Sequence, residues 1–285
     1  MKYLMTSATS DLGGRVLAQL RQLVEPADIV VTVRDMSKAS YFERLGVTVR
    51  YADFTKPDTL TLALQGVDRM LLISSVPSKE HPRTIQHQNV IEAAKQNGIS
   101  FIAYTSTTID TKAPSMLAPD HQFTERLLAE SGIDYALLRN NWYLENEIET
   151  LKLVRDTSQV GYLEGDGIGG WVLKRELAEA AARVLAGVAP KQTIYELANT
   201  PIHYSQLIKR AQAVCGKASD TVALKSGAYR EYLMANHVPQ EAVGMLEFTQ
   251  KDMLTGSMIV EHSDLATTLG HEPITLEASI KELLE

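Results

Sequence analysis

Three stretches of the 285-residue chain place residue types at spacings that could do chemistry. The first is the turn Thr6-Ser7-Ala8-Thr9-Ser10-Asp11-Leu12-Gly13-Gly14, lying between a short apolar run and a helical stripe. A turn in that position offers backbone N–H groups and a helix N-terminus to a pyrophosphate. A GxxGxxG spacing would put glycine at 7, 10 and 13, and only Gly13 is present, with Ser7 and Ser10 at the other two places. The third glycine allows close helix-to-strand packing, whereas the first two serve the tight turn and the approach of phosphate. The fold is therefore expected to tolerate the change better than affinity does. Serine adds a hydroxyl donor, but its Cβ crowds the approach and disfavours positive φ. Asp11 brings a carboxylate that, taken alone, opposes an anion, so a tight turn that only caps a helix stays open as the alternative.

The second stretch is the end of the next apolar run, Ile29 to Val33, followed by Arg34, with Lys38 one helical turn on. An NAD-preferring site usually has an acid there for the ribose hydroxyls; a guanidinium suits a 2′-phosphate and points to NADP(H), unless Arg34 is simply solvated. Asp53 and Phe54 close a third run and Ile73-Ser74-Ser75 a fourth, where open parallel sheets hold ligands. Asp53 is suited to an adenine contact, or to capping its own loop ahead of Thr55 and Pro57. The third stretch is Asn140-Asn141-Trp142-Tyr143. Trp142 and Tyr143 could flank a flat molecule, although an aromatic pair opening a helix is more often core packing.

The elements that must position these residues follow from periodicity. Short aliphatic or β-branched runs at 3–6, 29–33, 48–51, 70–74, 101–105 and 135–138 alternate with helical stripes at 12–23, 38–45, 57–65, 84–96 and 121–131. That alternation predicts a doubly wound α/β fold, Rossmann-like, with a parallel sheet covered on both faces. Gly98 and Gly132 stand where C-terminal helix caps are wanted. Beyond Asn140 the rhythm changes. The pattern predicts a helix over 142–155, irregular backbone through Gly161, Gly165, Gly167, Gly169 and Gly170, and a helix over 175–185. A strand at 193–197 and helices at 204–214 and 229–235 complete a small mixed C-terminal lobe. Residues 1–150 are thus expected to form the dinucleotide core. Residues 151–285 are expected to be mostly a substrate lobe, with some segments returning to the core.

Composition narrows the functions available. Hydrophobic residues make up 45%, ample for a packed core, and 35 acidic against 28 basic residues give a net charge of −7 that repels phosphate backbones. No nucleic-acid partner is expected. Cys215 is alone, which excludes an internal disulfide and suits a reducing, cytoplasmic setting. No apolar run reaches bilayer length, so no membrane association is expected. His87 has Ile91 at i+4 rather than a ligand, and no metal site is expected. His121 reads as a polar residue near a helix start or a hydrogen bonder at a site rim.

Taken together, the first turn, Val33-Arg34, the run from Gly46 to Asp53, Leu71 to Ser75, Phe101 to Ser106, Leu137 to Asn146 and Tyr195 to Ala198 resemble the NmrA-like atypical short-chain dehydrogenase/reductases. Within that family the resemblance runs toward the bacterial type 2 NADPH:quinone oxidoreductases. It implies a doubly wound NADP(H)-binding domain and a pocket between it and the C-terminal lobe. By resemblance, the coenzyme is bordered by Ser7, Ala8, Thr9, Ser10, Asp11 and Leu12 of the turn and by Arg34, and Asp53 and Phe54 are expected beside it from their place at a strand's end. Ile73, Ser74, Ser75, Thr105, Ser106, Arg139 and Asn140 complete that border, while Tyr104, Asn141, Trp142 and Tyr143 face the acceptor. The chain departs from the family pattern at Ser7 and Ser10, which leaves coenzyme affinity open. It departs again at Arg126, where many members have Lys, and this speaks against a Lys-dependent proton transfer.

The chain has no Tyr-x-x-x-Lys, the pair with which ordinary short-chain dehydrogenases donate a proton; Tyr135 and Arg139 share that spacing, but on a buried strand. Quinone reduction asks less, because water can protonate the product oxygens and positioning carries most of the work. Asn141 or Tyr104 would bond a carbonyl oxygen, and Ser106 the nicotinamide amide or its own backbone. The leading expectation is an NADPH-dependent oxidoreductase of quinone-like acceptors, acting as a monomer or homodimer. The alternative is a redox-sensing regulator that binds NADP, or has lost it, and acts through a protein partner without turnover.

Overall fold

The structure, a computed structural model, describes residues 1–109 and 113–285. Seven parallel strands form the central sheet in the order β3-β2-β1-β4-β5-β6-β9. They are β1 (Tyr3–Met5), β2 (Ile29–Val33), β3 (Thr48–Tyr51), β4 (Arg69–Leu72), β5 (Phe101–Thr107), β6 (Asp134–Asn140) and, from the C-terminal part, β9 (Ile194–Leu197). The crossovers are α1 (Asp11–Leu23), α2 (Ala39–Glu43), α3 (Pro57–Ala63), α4 (Arg83–Gln96) and α5 (Ala118–Glu130). The chain order reverses between β1 and β4, and ligands of such sheets sit at that switch point, beyond the carboxyl ends of the strands.

Each face of the sheet has its own core. Val16, Leu17 and Leu20 of α1 pack with Val31, Leu71 and Leu138 of the strands and with Leu177, Ala181 and Leu185 of α7 (Lys174–Ala186). On the other face Leu60, Val90, Ile91, Ala94 and Leu128 cover Leu4, Met70, Leu72 and Ile102. Sheet strands with neighbours on both faces read as unbroken apolar runs, and β2 is buried at all five positions. Gly98 and Gly132 have φ of 68° and 77° and close their helices as left-handed caps.

The C-terminal lobe comprises α6 (Ile148–Asp156), β7 (Gln159–Leu163), β8 (Ile168–Gly169), β10 (Ile202–His203), α8 (Tyr204–Cys215), β11 (Asp220–Leu224), α9 (Ser226–Ala235), α10 (Gln240–Met253) and α12 (Leu276–Leu284), while α11 (Leu265–Leu269) returns to the main sheet's core beside α7. β7 pairs in parallel with β11, and β8 pairs antiparallel with β10. The glycine-rich stretch is therefore packed backbone. A Cβ on Gly161 would stand 2.7 Å from Leu224, and one on Gly170 would stand 2.6 Å from the Asn199 carbonyl.

The helix expected over 142–155 starts later than its pattern suggests. The Asn141 side chain accepts the Trp142 N–H, and the main chains of 142–144 bond to Val172 in a strand-like bridge. With those groups engaged sideways, the chain passes through a 3-10 turn at Leu144–Glu147 before α6 begins. Among the described residues no helix is long and apolar enough to cross a membrane.

Candidate active site

Two clefts open on the carboxyl edge of the sheet and meet at Ser74. The first, of about 240 Å³, is lined by Ser7, Thr9, Ser10 and Arg34 on one side and by Asp53, Phe54, Ile73 and Ser75 on the other. Thr32 and Gln86 also line it, although nothing in their spacing singled them out.

The turn after β1 is built by its own serines. Ser7 takes a left-handed φ of 54°, and the Ser10 hydroxyl donates to the Ser7 carbonyl at 2.8 Å while accepting the Gly13 N–H at 3.0 Å. Ser10 is thus the N-cap of α1, and its hydroxyl satisfies one of the four orphan N–H groups of the first turn. Gly13 is confined: a Cβ there would lie 2.1 Å from the Ser7 carbonyl oxygen. Ala8 and Leu12 bury their side chains in the core and do not line the cleft. Asp11 bonds Arg15 at 2.8 Å and Lys174 at 3.0 Å. Burial works against its charge, but the bonds from Lys174 and Arg15 outweigh that and hold the carboxyl below its usual range.

Side-chain hydroxyls stitch the strand ends into a rim. Thr6 accepts the Ile73 N–H at 2.9 Å, Thr105 accepts the Ser74 N–H at 2.8 Å, and His87 accepts the Ser75 N–H at 3.0 Å. Arg34 is exposed on the cleft wall and makes no ion pair within 4.0 Å among the described residues. Asp53 spends one oxygen on the N–H and hydroxyl of Thr55, at 2.9 and 2.8 Å, with Lys56 3.7 Å from the other. Burial works against the carboxyl's charge, but the Thr55 bonds together with the Lys56 and Arg34 charges hold it below its ordinary range. That is the loop-capping arrangement of its two sequence readings.

The second cleft, of about 190 Å³, is walled by Ser106, Asn140, Asn141, Trp142 and Tyr143 and, from the helices opposite, by Arg83, Leu117 and His121. Behind this wall the polar groups are chained. The His121 Nε2 faces Arg83 at 3.3 Å and its Nδ1 faces the Tyr104 hydroxyl at 2.7 Å. Because Arg83 can only donate, Nε2 must accept, so neutral His121 carries its proton on Nδ1 and donates to Tyr104. By the same reasoning His87, whose Nε2 accepts from Ser75, donates through Nδ1 to Thr124 at 2.9 Å. Burial, with the nearby Arg83 charge, pulls both histidines down to about 3.

The sequence-derived acceptor residues are thereby separated. Trp142 and Tyr143 line the cleft, and Lys174 lies 5.6 Å over the Tyr143 ring. Tyr104 is fully buried behind His121, and burial raises its hydroxyl far above the usual range. Asn141 is saturated by protein: Nδ2 donates to Thr108 and to the Met258 carbonyl, and Oδ1 accepts from Trp142 and Gly170. Arg139 lines neither cleft. Its guanidinium makes two bonds to Glu125, at 2.7 and 3.0 Å, and one to Glu196 at 3.0 Å, and Ser106 donates to the same Glu125. Asn140, by contrast, keeps its buried Oδ1 without a partner among the described residues. Arg83 is the functional candidate that sequence reading passed over; its one signal was Pro82-Arg83 opening the fourth helix on the ligand-bearing edge. A more open groove of about 480 Å³, between Trp171, Asn199 and Arg210, shares no residue with either cleft.

Residues 8–186 match the family described as NAD(P)H-binding. The chain belongs to that family, in its NmrA-like branch, as the sequence resemblance implied. It is 35% identical over 280 residues to quinone oxidoreductase 2 of Escherichia coli (strain K12), covering 98% of this chain and 97% of that one. The crystal structure of the NADPH-dependent quinone oxidoreductase from Escherichia coli complexed with NADPH superimposes with a TM-score of 0.89 at 34% identity, over 99% of this chain and 100% of that one. The triphenylmethane reductase of Citrobacter sp., complexed with NADP(H), gives 0.90 at 27% identity over the same shares.

Proposed function

We propose that this chain is an NADPH-dependent oxidoreductase that delivers a hydride to a quinone-like acceptor. The observation that carries the reading is the meeting of the two clefts at Ser74, one beside a capped helix N-terminus and Arg34, the other beside an aromatic wall. The relatives named above, whose names state a quinone reductase and NADPH, support it.

The residues present fit a dinucleotide phosphate. Arg34 stands without an ion pair among the described residues, on the wall that would meet a 2′-phosphate, and Ser7, Thr9 and Ser10 line the cleft beside it, with Asp11 already paired to Arg15 and Lys174. The orphaned Oδ1 of Asn140 suits the amide N–H of a carboxamide. When bound, the reduced nicotinamide supplies the hydride.

This chain's residues orient and exclude. Main-chain N–H groups at the start of α1 hold phosphate, and Trp142 and Tyr143 confine a flat acceptor. No side chain is asked to surrender a proton, since Tyr104 is turned to His121 and Asn141 has no spare donor. Residues 1–150 would then carry the coenzyme and line the acceptor cleft, with 151–285 bracing that cleft from behind through Gly170 and Met258 on Asn141. The half-buried thiol of Cys215 and the NADPH requirement suit a reducing cytoplasm.

The test is NADPH fluorescence on mixing, followed by loss of its absorbance when 1,4-benzoquinone is added. Saturable binding with turnover is the expected result. Tight binding without turnover would favour the regulator, and no saturation at millimolar coenzyme would remove the reading.

A further inference from the structure

Among the described residues that line the acceptor cleft, Arg83 is the single permanent cation, and no carboxylate lines it. The guanidinium is held on two sides. Nε donates to the Ser75 carbonyl at 2.7 Å and Nη1 to His121 Nε2 at 3.3 Å, the same nitrogen lying 3.7 Å from Asp120. Nη2 bonds to nothing among the described residues, and the side chain is only 14% exposed. Asp120 is 41% exposed, so its charge is screened by solvent on its outer side. His121 is braced by Tyr104 in turn, and burial keeps it neutral at neutral pH, so it directs the guanidinium without adding charge.

A braced cation matters according to how charge develops on the acceptor. A neutral quinone accepts the hydride, one proton with two electrons, from the reduced coenzyme, which leaves oxidised. The coenzyme's C–H bond breaks and an O–H bond forms at one quinone oxygen, the π pair of the opposite carbonyl moves onto its own oxygen as the ring becomes aromatic, and the product is a hydroquinone monoanion. That anion then takes a proton from water, giving hydroquinone and hydroxide. Negative charge is absent in the ground state and grows through the transition state, so a fixed cation beside it accelerates the step. A cationic acceptor such as a triphenylmethane dye takes the hydride on carbon and ends neutral. For it the same guanidinium repels the reactant and gains nothing later.

Resting on the reading of the site as a hydride-transfer centre, we infer that Arg83 is the specificity-determining residue of the acceptor cleft. It favours acceptors whose reduced form is anionic over acceptors that begin as cations.

The experiment compares wild type with Arg83→Met and Arg83→Lys, using 1,4-benzoquinone and crystal violet, a cationic triphenylmethane dye. In parallel, calorimetry measures 2,4-dinitrophenolate, an anion at neutral pH, binding to each protein with NADP+. Arg83→Met should lower kcat for benzoquinone roughly 100-fold with KM little changed. It should weaken dinitrophenolate about 10-fold and leave kcat/KM for the dye equal or higher. Arg83→Lys should recover most of the quinone rate. Equal losses on both acceptors, an unchanged quinone kcat, or unchanged dinitrophenolate binding overturns the inference. Where neither protein reduces the dye, the dinitrophenolate measurement decides. A wild type that does not oxidise NADPH with benzoquinone removes the functional reading itself, whereas a competent wild type whose Met variant matches it removes only the role of Arg83.

Discussion

The two clefts that meet at Ser74 are made of different material. The coenzyme cleft is shaped by main chain: the left-handed Ser7, the capped first turn of α1 and the confined Gly13. The acceptor cleft is shaped by bonded side chains, His121 to Tyr104 and Asn141 to Thr108, with the Asn141 amide also fixed by the Met258 carbonyl and the Gly170 N–H. A main-chain site tolerates a change of side chain where the backbone path survives, which is how serines can stand at two positions where the GxxGxxG spacing asks for glycine. A side-chain site changes its chemistry with each residue. Activity should therefore diverge among relatives on the acceptor side first.

Four substitutions would break or sharpen that contrast. The largest effect is expected from Gly13→Ala, whose new methyl would lie 2.1 Å from the Ser7 carbonyl oxygen. The main chain cannot retreat cheaply, and urea denaturation should show a loss of about 3 kcal/mol together with lost coenzyme binding. An unaffected turn would show that backbone shape is not what this region depends on.

Arg34→Ala tests the cation on the wall of the coenzyme cleft. Calorimetry should show NADPH weakened by about 2 kcal/mol, roughly 30-fold, with NADH changed little. Equal losses for the two coenzymes would remove the basis for preferring the phosphorylated one.

Behind both clefts, His87 holds the Ser75 N–H and should make stability sensitive to acid. Its folded pKa of about 3 lies below the unfolded 6.5, so the unfolded chain binds more protons between those values and stability falls as pH drops through that window. His87→Gln lacks the effect. The difference in unfolding free energy between wild type and variant should narrow by about 1.5 kcal/mol from pH 6.5 to 5. A constant difference would mean that the ring is not held neutral.

The smallest effect is Ser7→Gly, which removes a left-handed non-glycine residue at φ 54° and should stabilise the fold by about 1 kcal/mol. A loss of coenzyme affinity in this variant would show that the hydroxyl is used as a donor.

Sequence reading succeeded where one element suffices to fix its own pattern. β2 and β3 have the bounds that their apolar runs predict, and Gly13 has the packing role that its place in the fingerprint predicts. It failed where a residue's surroundings come from far along the chain. β7 was invisible because Gly161 breaks its apolar run, and what makes it a strand is β11, some sixty residues on. Helices α10 and α12 lie in stretches where no periodicity was assigned. Neither Tyr104 and His121 nor Arg139 and Glu196 share a spacing that announces a bond. Arg83 was missed for the same reason, since a cation at the start of a helix reads as solvated until the fold brings His121 beside it.

The strand at one margin of the main sheet, β9, and the helix lying over α1, α7, both come from beyond residue 173. A polypeptide ending near residue 150 would leave β6 with an unpaired edge and α1 with a bare greasy flank, which is the recipe for aggregation. The nucleotide-holding portion is thus not a detachable cassette: grafting, splitting or shuffling it has to carry the later segments along.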